Sequence, residues 1–289
     1  MFTITINPVA FTIASIEVRW YGIMVAISVA MVILWMVRQI EIRKPHLPTI
    51  PDVAIAPVGI ISGIIGAKLV HVLEQLDYYV HNPTDIFSGG GFGIWDTVLG
   101  STLGIWIYLR LRCKDKNQHF GFFADLVAPG IMLAQAIGRI GCTLNGCCHG
   151  KPAPNWFLWT ISYSSYYPPP DGYAVENPSF LDKALYPTQP AEIVFGLVAF
   201  GILLKLRNRL RPMEGALFLI YLIMYSAWRL GLGFFRTAEV YFASGLLSQA
   251  QIISLVVLVV TTVLLINTQH RFKRSENPLL SIDISSRQE

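Results

Sequence analysis

Residues 20–37 read WYGIMVAISVAMVILWMV and contain no charged side chain. A helix that crosses the hydrocarbon core of a bilayer needs about 20 mostly apolar residues, so this stretch, extended back to residue 16, predicts a membrane-spanning helix. No Lys or Arg precedes Arg19, and the apolar run is longer than that of a cleaved signal peptide. We therefore expect residues 16–37 to stay in the mature protein as its first span.

Six more apolar stretches follow along the chain. With the first, they predict an all-α polytopic membrane protein of about seven transmembrane helices, in a single membrane domain over residues 1–289. Residues 145–187 are expected to form a small outer loop or head, and residues 274–289 a polar cytoplasmic tail. The six further predicted spans are residues 53–75, 92–110, 122–144, 188–205, 216–235 and 248–267.

The composition also favours a membrane protein. The chain has 289 residues, of which 53% are hydrophobic and 14% charged, whereas about 25% of the residues of a soluble domain are charged. The formal net charge is only +4, and the basic residues are scattered, unlike the basic patch of a nucleic-acid-binding protein. We expect the lipid bilayer, and no nucleic acid, among the partners.

The distribution of basic residues predicts the orientation, because short cytoplasmic loops collect Lys and Arg. Most of the 22 Lys and Arg residues follow the first, third, fifth and seventh predicted spans. The loops on the opposite side contain only Lys151, Lys183 and Arg236. We therefore expect the N-terminus outside and the C-terminus in the cytoplasm, in a bacterial cytoplasmic (inner) membrane.

Several polar residues fall inside the predicted spans, where they are costly and mark a pathway or a site. A helical rise of about 1.5 Å per residue puts all of them in the outer half of the membrane. Two arginines facing one cavity would bind a phospholipid phosphate, because a guanidinium bonds two of its oxygens at once. These residues also have structural explanations that involve no ligand. A long cation can extend to the lipid headgroups, an aromatic residue can lie in the interfacial belt, and opposite charges can simply pair. The residues are Tyr21, Lys68, Trp95, Asp96, Arg139, Glu192 and Arg229.

The densest local motif is GRIGCTLNGCCHG at residues 138–150. Its glycines let the backbone bend or approach a ligand, and Asn145 can donate to an oxygen. The cysteines of the motif lack the separated pairs of structural zinc sites, so we expect no metal ion and no other cofactor. A disulfide or redox role for Cys147 and Cys148 and plain packing beside the glycines stay open as alternatives.

Six other stretches complete a family pattern. They are Arg19–Gly22, Gly66–Leu69, Leu76–Tyr79, Tyr186–Glu192, Trp228–Arg236 and Leu247–Gln251. Together with residues 138–150, they resemble the motifs of the prolipoprotein diacylglyceryl transferases, bacterial membrane enzymes that lipidate a cysteine of lipoprotein precursors. The resemblance extends over about residues 18–260 and implies the same seven-span arrangement.

The resemblance implies an activity. A diacylglyceryl group would move from phosphatidylglycerol to the thiol of the lipobox cysteine of a lipoprotein precursor, the first step of lipoprotein maturation. Arg139 and Arg229 would hold the lipid phosphate, and Asp96 or His149 is the candidate base. The acceptor brings its own thiol, so the chain's cysteines are not expected to carry the transferred group. The expected substrate-binding residues are Arg139, Tyr21, Asn145, Gly150, Gln189, Glu192, Lys68 and Trp95.

The chain departs from the family pattern at four places. Trp95–Asp96 replaces His or Tyr followed by Gly, Cys142 replaces Asn, and Cys147 and Gly233 each replace a Glu. The Cys-Cys form of the motif resembles a divergent branch of the family. A non-catalytic lipid-binding or transporting relative is therefore the alternative function. A membrane thiol oxidoreductase is a third possibility, for which the sequence has no CxxC element.

The orientation can be tested with reporters. A reporter fused after residue 211 should read cytoplasmic, and one inserted near residue 165 should read external, because the basic residues define the inner side. Alkaline phosphatase and green fluorescent protein fusions would measure this. Reversed signals at both sites would contradict the predicted topology.

Overall fold

The computed structural model describes residues 2–13, 16–43, 55–74, 76–87, 94–112, 118–164, 181–236, 241–242 and 247–276. Within these ranges the chain is mostly helical. The helices are α1 (Trp20–Arg43), α2 (Ile55–Glu74), α3 (Leu76–His81), α4 (Ile94–Arg112), α5 (Gln118–Asn145), α6 (Thr188–Leu210), α7 (Ala216–Leu232) and α8 (Gln249–Glu276). Residues 83–87 form a short 3-10 helix.

Short strands make three two-stranded sheets, none of which closes into a barrel among the described residues. The first sheet is parallel and the other two are antiparallel. The pairs are β1 (Phe2–Ile4) with β4 (Ile161–Tyr163), β2 (Val9–Ile13) with β3 (Ile16–Arg19), and β5 (Tyr241–Phe242) with β6 (Leu247–Ser248).

Each predicted span overlaps one long helix, so the helical fold class is confirmed. Among the described residues, four helices are long and apolar enough to cross a membrane, and residues 57–73 and 216–232 form shorter apolar helices. The number of seven spans therefore stays a prediction. The first predicted span differs at its start, since residues 16–19 pair with β2 as strand β3 and the helix begins at Trp20. The four long helices cover Trp20–Ile42, Phe120–Asn145, Thr188–Leu210 and Gln249–Lys273.

The chain forms two compact units. The smaller unit, Met36–Phe123, is built around α2 and α4, which lie in backbone contact. A Cβ atom added to Gly66 would be 2.7 Å from the Cα of Gly100, and the Ser101 hydroxyl donates to the Gly59 carbonyl at 2.7 Å. Glycine and serine at these positions allow the two helices to pack closely.

The larger unit consists of Met1–Trp35 and Ala124–Glu289, and it includes most of α5. The Trp35 indole of α1 donates to the Leu126 carbonyl of α5 at 2.9 Å. On another side, a Cβ atom added to Gly196 of α6 would meet the Cβ of Ala136 at 3.0 Å. These contacts hold α5 against α1 and α6, and the C-terminal turns of α5 form the first part of the Gly138–Gly150 motif.

Helix α5 also caps α7. The Asp125 carboxylate accepts hydrogen bonds from the Gly215 and Phe218 amides, each at 2.8 Å. The first amides of a helix have no partner within the helix, and a carboxylate there also opposes the positive end of its dipole. Asp125 thus fixes where α7 begins and, through α7, the height at which Arg229 lies.

Two glycine-to-alanine changes separate packing from helix propensity. Gly66→Ala should lower the free energy of unfolding by about 1–3 kcal/mol, because the new methyl group meets the backbone of α4. Gly201→Ala should raise it by up to about 1 kcal/mol, because nothing lies within 4 Å of the added Cβ atom. Thermal unfolding in detergent, followed by circular dichroism, measures both. Shifts of the same sign in the two variants would contradict the close contact of α2 and α4.

Candidate active site

The site is centred on a buried ion pair between α5 and α6. Arg139 lies in the penultimate turns of α5, and its Nε is 2.8 Å from Oε2 of Glu192, in the first turns of α6. Both residues are 5% exposed. Since a charge buried without a partner is very costly, the pair ties the two helices together at this level.

A second arginine faces the same carboxylate. Arg236 follows α7, and its Nη1 is 3.9 Å from Oε2 of Glu192. Its backbone forms an antiparallel bridge with Gly150, and the Lys151 amide donates to the Phe235 carbonyl at 2.8 Å. Arg236 was not among the site residues predicted from the sequence. The only signal was its place at the end of the Trp228–Arg236 motif.

The third arginine, Arg229 of α7, lies within electrostatic range of Arg236, Glu192 and Arg139. Its Nη1 atom is buried and makes no hydrogen bond within the described part of the chain. Among the described side chains, one carboxylate, Glu192, thus serves a cluster of three guanidinium groups. Such a cluster attracts an anion.

The departure at Gly233 has a structural explanation. A Cβ atom at this position would lie 2.5 Å from Cγ of Gln251. Gln251 itself is held by two contacts, in which its Nε2 donates to the Leu230 carbonyl at 3.2 Å and its Oε1 accepts from the Ser248 amide at 2.9 Å. A neutral amide of α8 therefore fills the space that a larger side chain at position 233 would need.

Three thiols lie beside the arginines. The Sγ atoms of Cys142, Cys147 and Cys148 are all within 4.8 Å of one another, and no two of them form a disulfide. Gly146, at φ 68°, and Cys148, at φ 62°, reverse the chain after α5. A left-handed conformation costs a non-glycine residue roughly 1–2 kcal/mol, so the surrounding structure must hold Cys148 in place.

The start of α6 provides that support. The Thr188 hydroxyl donates to the Cys148 carbonyl at 3.4 Å, and the side-chain Nε2 of Gln189 donates to the Cys147 carbonyl at 3.0 Å. The same Gln189 nitrogen is 3.0 Å from the Tyr163 hydroxyl, to which it also donates. Gln189 is fully buried, and it therefore positions the loop that carries the thiols.

The thiols differ in acidity. The pKa of Cys148 is well below its usual range, because hydrogen bonds from the thiols of Cys142 and Cys147 stabilise its thiolate and Arg236 and Arg139 add positive charge. The pKa of Cys147 is raised, because its hydrogen bonds with Cys142 and Cys148 and its burial favour the protonated thiol. Of the three thiols, Cys148 thus has the surroundings that most favour the thiolate.

Three other predicted site residues lie close to this cluster. Tyr21 of α1 is within electrostatic range of the three thiols and of Arg139. Asn145 is buried at the end of α5, and its Oδ1 accepts no hydrogen bond from the described residues. Gly150 has no room for a side chain, since a Cβ atom would be 2.5 Å from the Tyr186 carbonyl oxygen. The motif glycine thus allows two chain segments to meet.

The remaining predicted residues are placed differently. His149 lies in the thiol loop, where its Nδ1 is 3.0 Å from the carbonyl oxygen of Gly150. Lys68 and Asp96 belong to the smaller unit, where the Lys68 ammonium lies 5.4 Å from the ring centroid of Tyr79 and Asp96 is in the first turn of α4. The side chain of Trp95 lies outside the described residues.

Comparisons with known proteins agree with the motifs. The family model described as prolipoprotein diacylglyceryl transferase matches residues 8–267. A phosphatidylglycerol–prolipoprotein diacylglyceryl transferase of Dehalococcoides mccartyi is 39% identical over 276 residues, which cover 96% of this chain and 99% of that relative.

More distant relatives have the same name. The protein of Listeria monocytogenes is 32% identical over 88% of this chain and 87% of its own length. That of Staphylococcus aureus is 30% identical over 90% of this chain and 88% of its own length. The similarity thus includes the helices that carry the arginines, the thiol loop and Glu192. The chain belongs to the prolipoprotein diacylglyceryl transferase family.

Proposed function

We propose that this protein is a transferase that moves the diacylglyceryl group of phosphatidylglycerol to the thiol of the lipobox cysteine in lipoprotein precursors. It acts as a multi-pass protein of the bacterial cytoplasmic membrane, with seven spans, the N-terminus outside and the C-terminus in the cytoplasm. The names of its relatives, the apolar helices and the distribution of Lys and Arg support this proposal.

The main structural support for the proposal is that three guanidinium groups lie near a single carboxylate. Arg139 and Arg236 pair with Glu192, and Arg229 lies within electrostatic range of it. Nη1 of Arg229 and Nη1 of Arg236 are buried without a hydrogen-bond acceptor among the described residues. A buried donor that lacks a partner costs free energy. A phosphate, with several charged oxygens, would satisfy both donors.

The reaction is a displacement at a glyceryl carbon. The sulfur of the acceptor cysteine forms a bond to that carbon, the carbon–oxygen bond to the phosphate breaks, and glycerol phosphate leaves with the bonding electrons. Negative charge grows on the phosphate oxygen as the bond breaks. The arginines stabilise this charge from fixed positions, in a site where little water competes.

The acceptor thiol must lose its proton, because the thiolate is the nucleophile. The positive field of the arginines lowers the pKa of a thiol bound nearby. His149 and Asp96 are the proposed bases. Of the two, His149 is in the thiol loop of the larger unit, next to Cys148.

Transfer can be measured directly. The purified full chain, in vesicles of phosphatidylglycerol labelled in its diacylglycerol, should lipidate a peptide that contains a lipobox cysteine. The same peptide with serine in place of this cysteine should remain unlabelled. Phosphatidylethanolamine vesicles are the control for the headgroup.

The same assay tests the alternative function. The unpaired Nη1 of Arg229 and the absence of a side chain at Gly233 are also compatible with a relative that binds lipid without reacting with it. Tight retention of phosphatidylglycerol by the protein, with no label on the cysteine peptide, would contradict the transferase and favour that alternative.

Exchange of arginine for lysine tests the phosphate clamp. Arg139→Lys and Arg229→Lys keep the charge but lose the planar fork, and each should lower transfer roughly 10- to 150-fold, the equivalent of about 1.5–3 kcal/mol for a charged hydrogen bond. Alanine at either position should be worse than lysine.

The matched control is Arg209→Lys, in the last turn of α6, where the side chain is exposed. It should transfer lipid at the rate of the unmodified protein. Unchanged rates in both Arg139→Lys and Arg229→Lys would mean that neither guanidinium binds two phosphate oxygens, and the proposed site would be wrong.

A further inference from the structure

We propose that Cys142, Cys147 and Cys148 bind one thiophilic divalent ion of the Zn²⁺ class through their three sulfur atoms. This differs from the sequence-based expectation of no metal ion, which rested on the lack of the two separated pairs of ligands of a structural zinc site. The folded loop forms a different set, with three sulfurs on one side and no fourth Cys among the described residues. Three protein ligands with an open fourth position are typical of reactive zinc sites.

The distances suit such an ion. A Zn–S bond is about 2.3 Å long, so the sulfurs of a tetrahedral site are about 3.8 Å apart. The three Sγ atoms are already within 4.8 Å of one another. The proposed site therefore needs the most distant pair of sulfurs to move closer by about 1 Å at most.

The surrounding charge also suits it. Three thiolates and a divalent cation together carry one negative charge, which a low-dielectric site accepts only beside a counter-charge. Nη1 of Arg139 is 3.7 Å from the sulfur of Cys142, and Arg236 is within electrostatic range of Cys148. Each arginine would thus stabilise the metal-bound thiolates.

The protein holds the ligands before any ion arrives. Cys142 is on the rigid last turns of α5, and the carbonyls of Cys147 and Cys148 are bound by Gln189 and Thr188. Ligands held by hydrogen bonds from neighbouring groups bind metals more tightly. The left-handed conformation of Cys148 is consistent with this role, because strained backbone is retained where the surroundings enforce it.

The open position would take the acceptor thiol, a step that rests on the proposed function. Cys142 and Cys147 are buried, whereas Cys148 is partly exposed, and we place the approach of the acceptor on the Cys148 side of the cluster. On binding the ion, the acceptor cysteine would lose its proton to the base proposed above. Its sulfur would then use a lone pair to form the bond to the glyceryl carbon while the phosphate oxygen leaves with the carbon–oxygen electrons. The ion is neither oxidised nor reduced, and the thioether product leaves it.

Metal binding is tested without any transfer reaction. The full chain, stripped with a chelator and kept reduced in detergent, is titrated with Co²⁺ as a spectroscopic probe. We expect one Co²⁺ per chain, with the strong charge-transfer absorption of thiolate ligands. Cys142→Ser and Cys148→Ser should each lose most of this absorption. Cys113→Ser, which changes the only cysteine outside the motif, should retain it.

A second measurement uses the unmodified protein, so that a misfolded variant cannot decide the result. Zn²⁺ should protect the three motif cysteines from alkylation, as read by mass spectrometry, while Cys113 reacts equally with and without the ion. No thiolate absorption, or equal alkylation of all four cysteines with and without Zn²⁺, would overturn the metal site.

The open position is tested with a peptide. A lipobox peptide with cysteine should shift the Co²⁺ spectrum, and the serine peptide should not. An unchanged spectrum with both peptides would overturn the role of the fourth position. Full transfer by chelator-treated protein would likewise overturn the role of the ion, and would leave the proposed transferase intact. If the unmodified protein binds Co²⁺ normally but transfers no lipid to the cysteine peptide, that result would count against the proposed transferase and leave the metal site intact.

Discussion

The ion pair of Arg139 and Glu192 is the interaction on which the rest of the site depends. Breaking a buried pair by removing one partner costs about 3–5 kcal/mol, so α5 and α6 are held together where these residues meet, at 2.8 Å. The start of α6 in turn holds the thiol loop, through Thr188 and Gln189. Glu192, which neutralises Arg139, therefore also helps to position the three sulfurs, because it holds the helix that supports the thiol loop.

Two departures of this chain from the family pattern affect the charge around Arg139 and Glu192. Cys147 and Gly233 stand where acids are usual, and Gln251 fills the space at Gly233 with a neutral amide. Each change removes negative charge near the arginines. Glu192 consequently serves Arg139 and Arg236 at once.

Much of the fold could be predicted from the sequence, because long apolar runs and helix-packing glycines are local patterns. The start of α1 was misjudged, since Ile16 and Val18 continue the apolar character of the span but pair as a strand with β2. Arg139, Glu192 and Arg229 stood out because charge inside an apolar run is conspicuous. Arg236 lies beyond the end of α7 and had no such contrast. The thiol cluster depends on two left-handed residues, Gly146 and Cys148, which spacing alone does not reveal.

The parallel pairing of β1 with β4 affects how the protein is made. The Thr3 hydroxyl meets that of Ser162 at 2.9 Å across a separation of 159 residues. A ribosome adds about 5–20 residues per second, so β1 waits roughly 8–30 s for its partner after it is synthesised. During that time the apolar helix α1 enters the membrane while strand β1 is still unpaired. Completion of this small sheet thus marks the point at which the chain has been synthesised as far as β4, and it closes a segment of chain that contains the five helices α1 to α5.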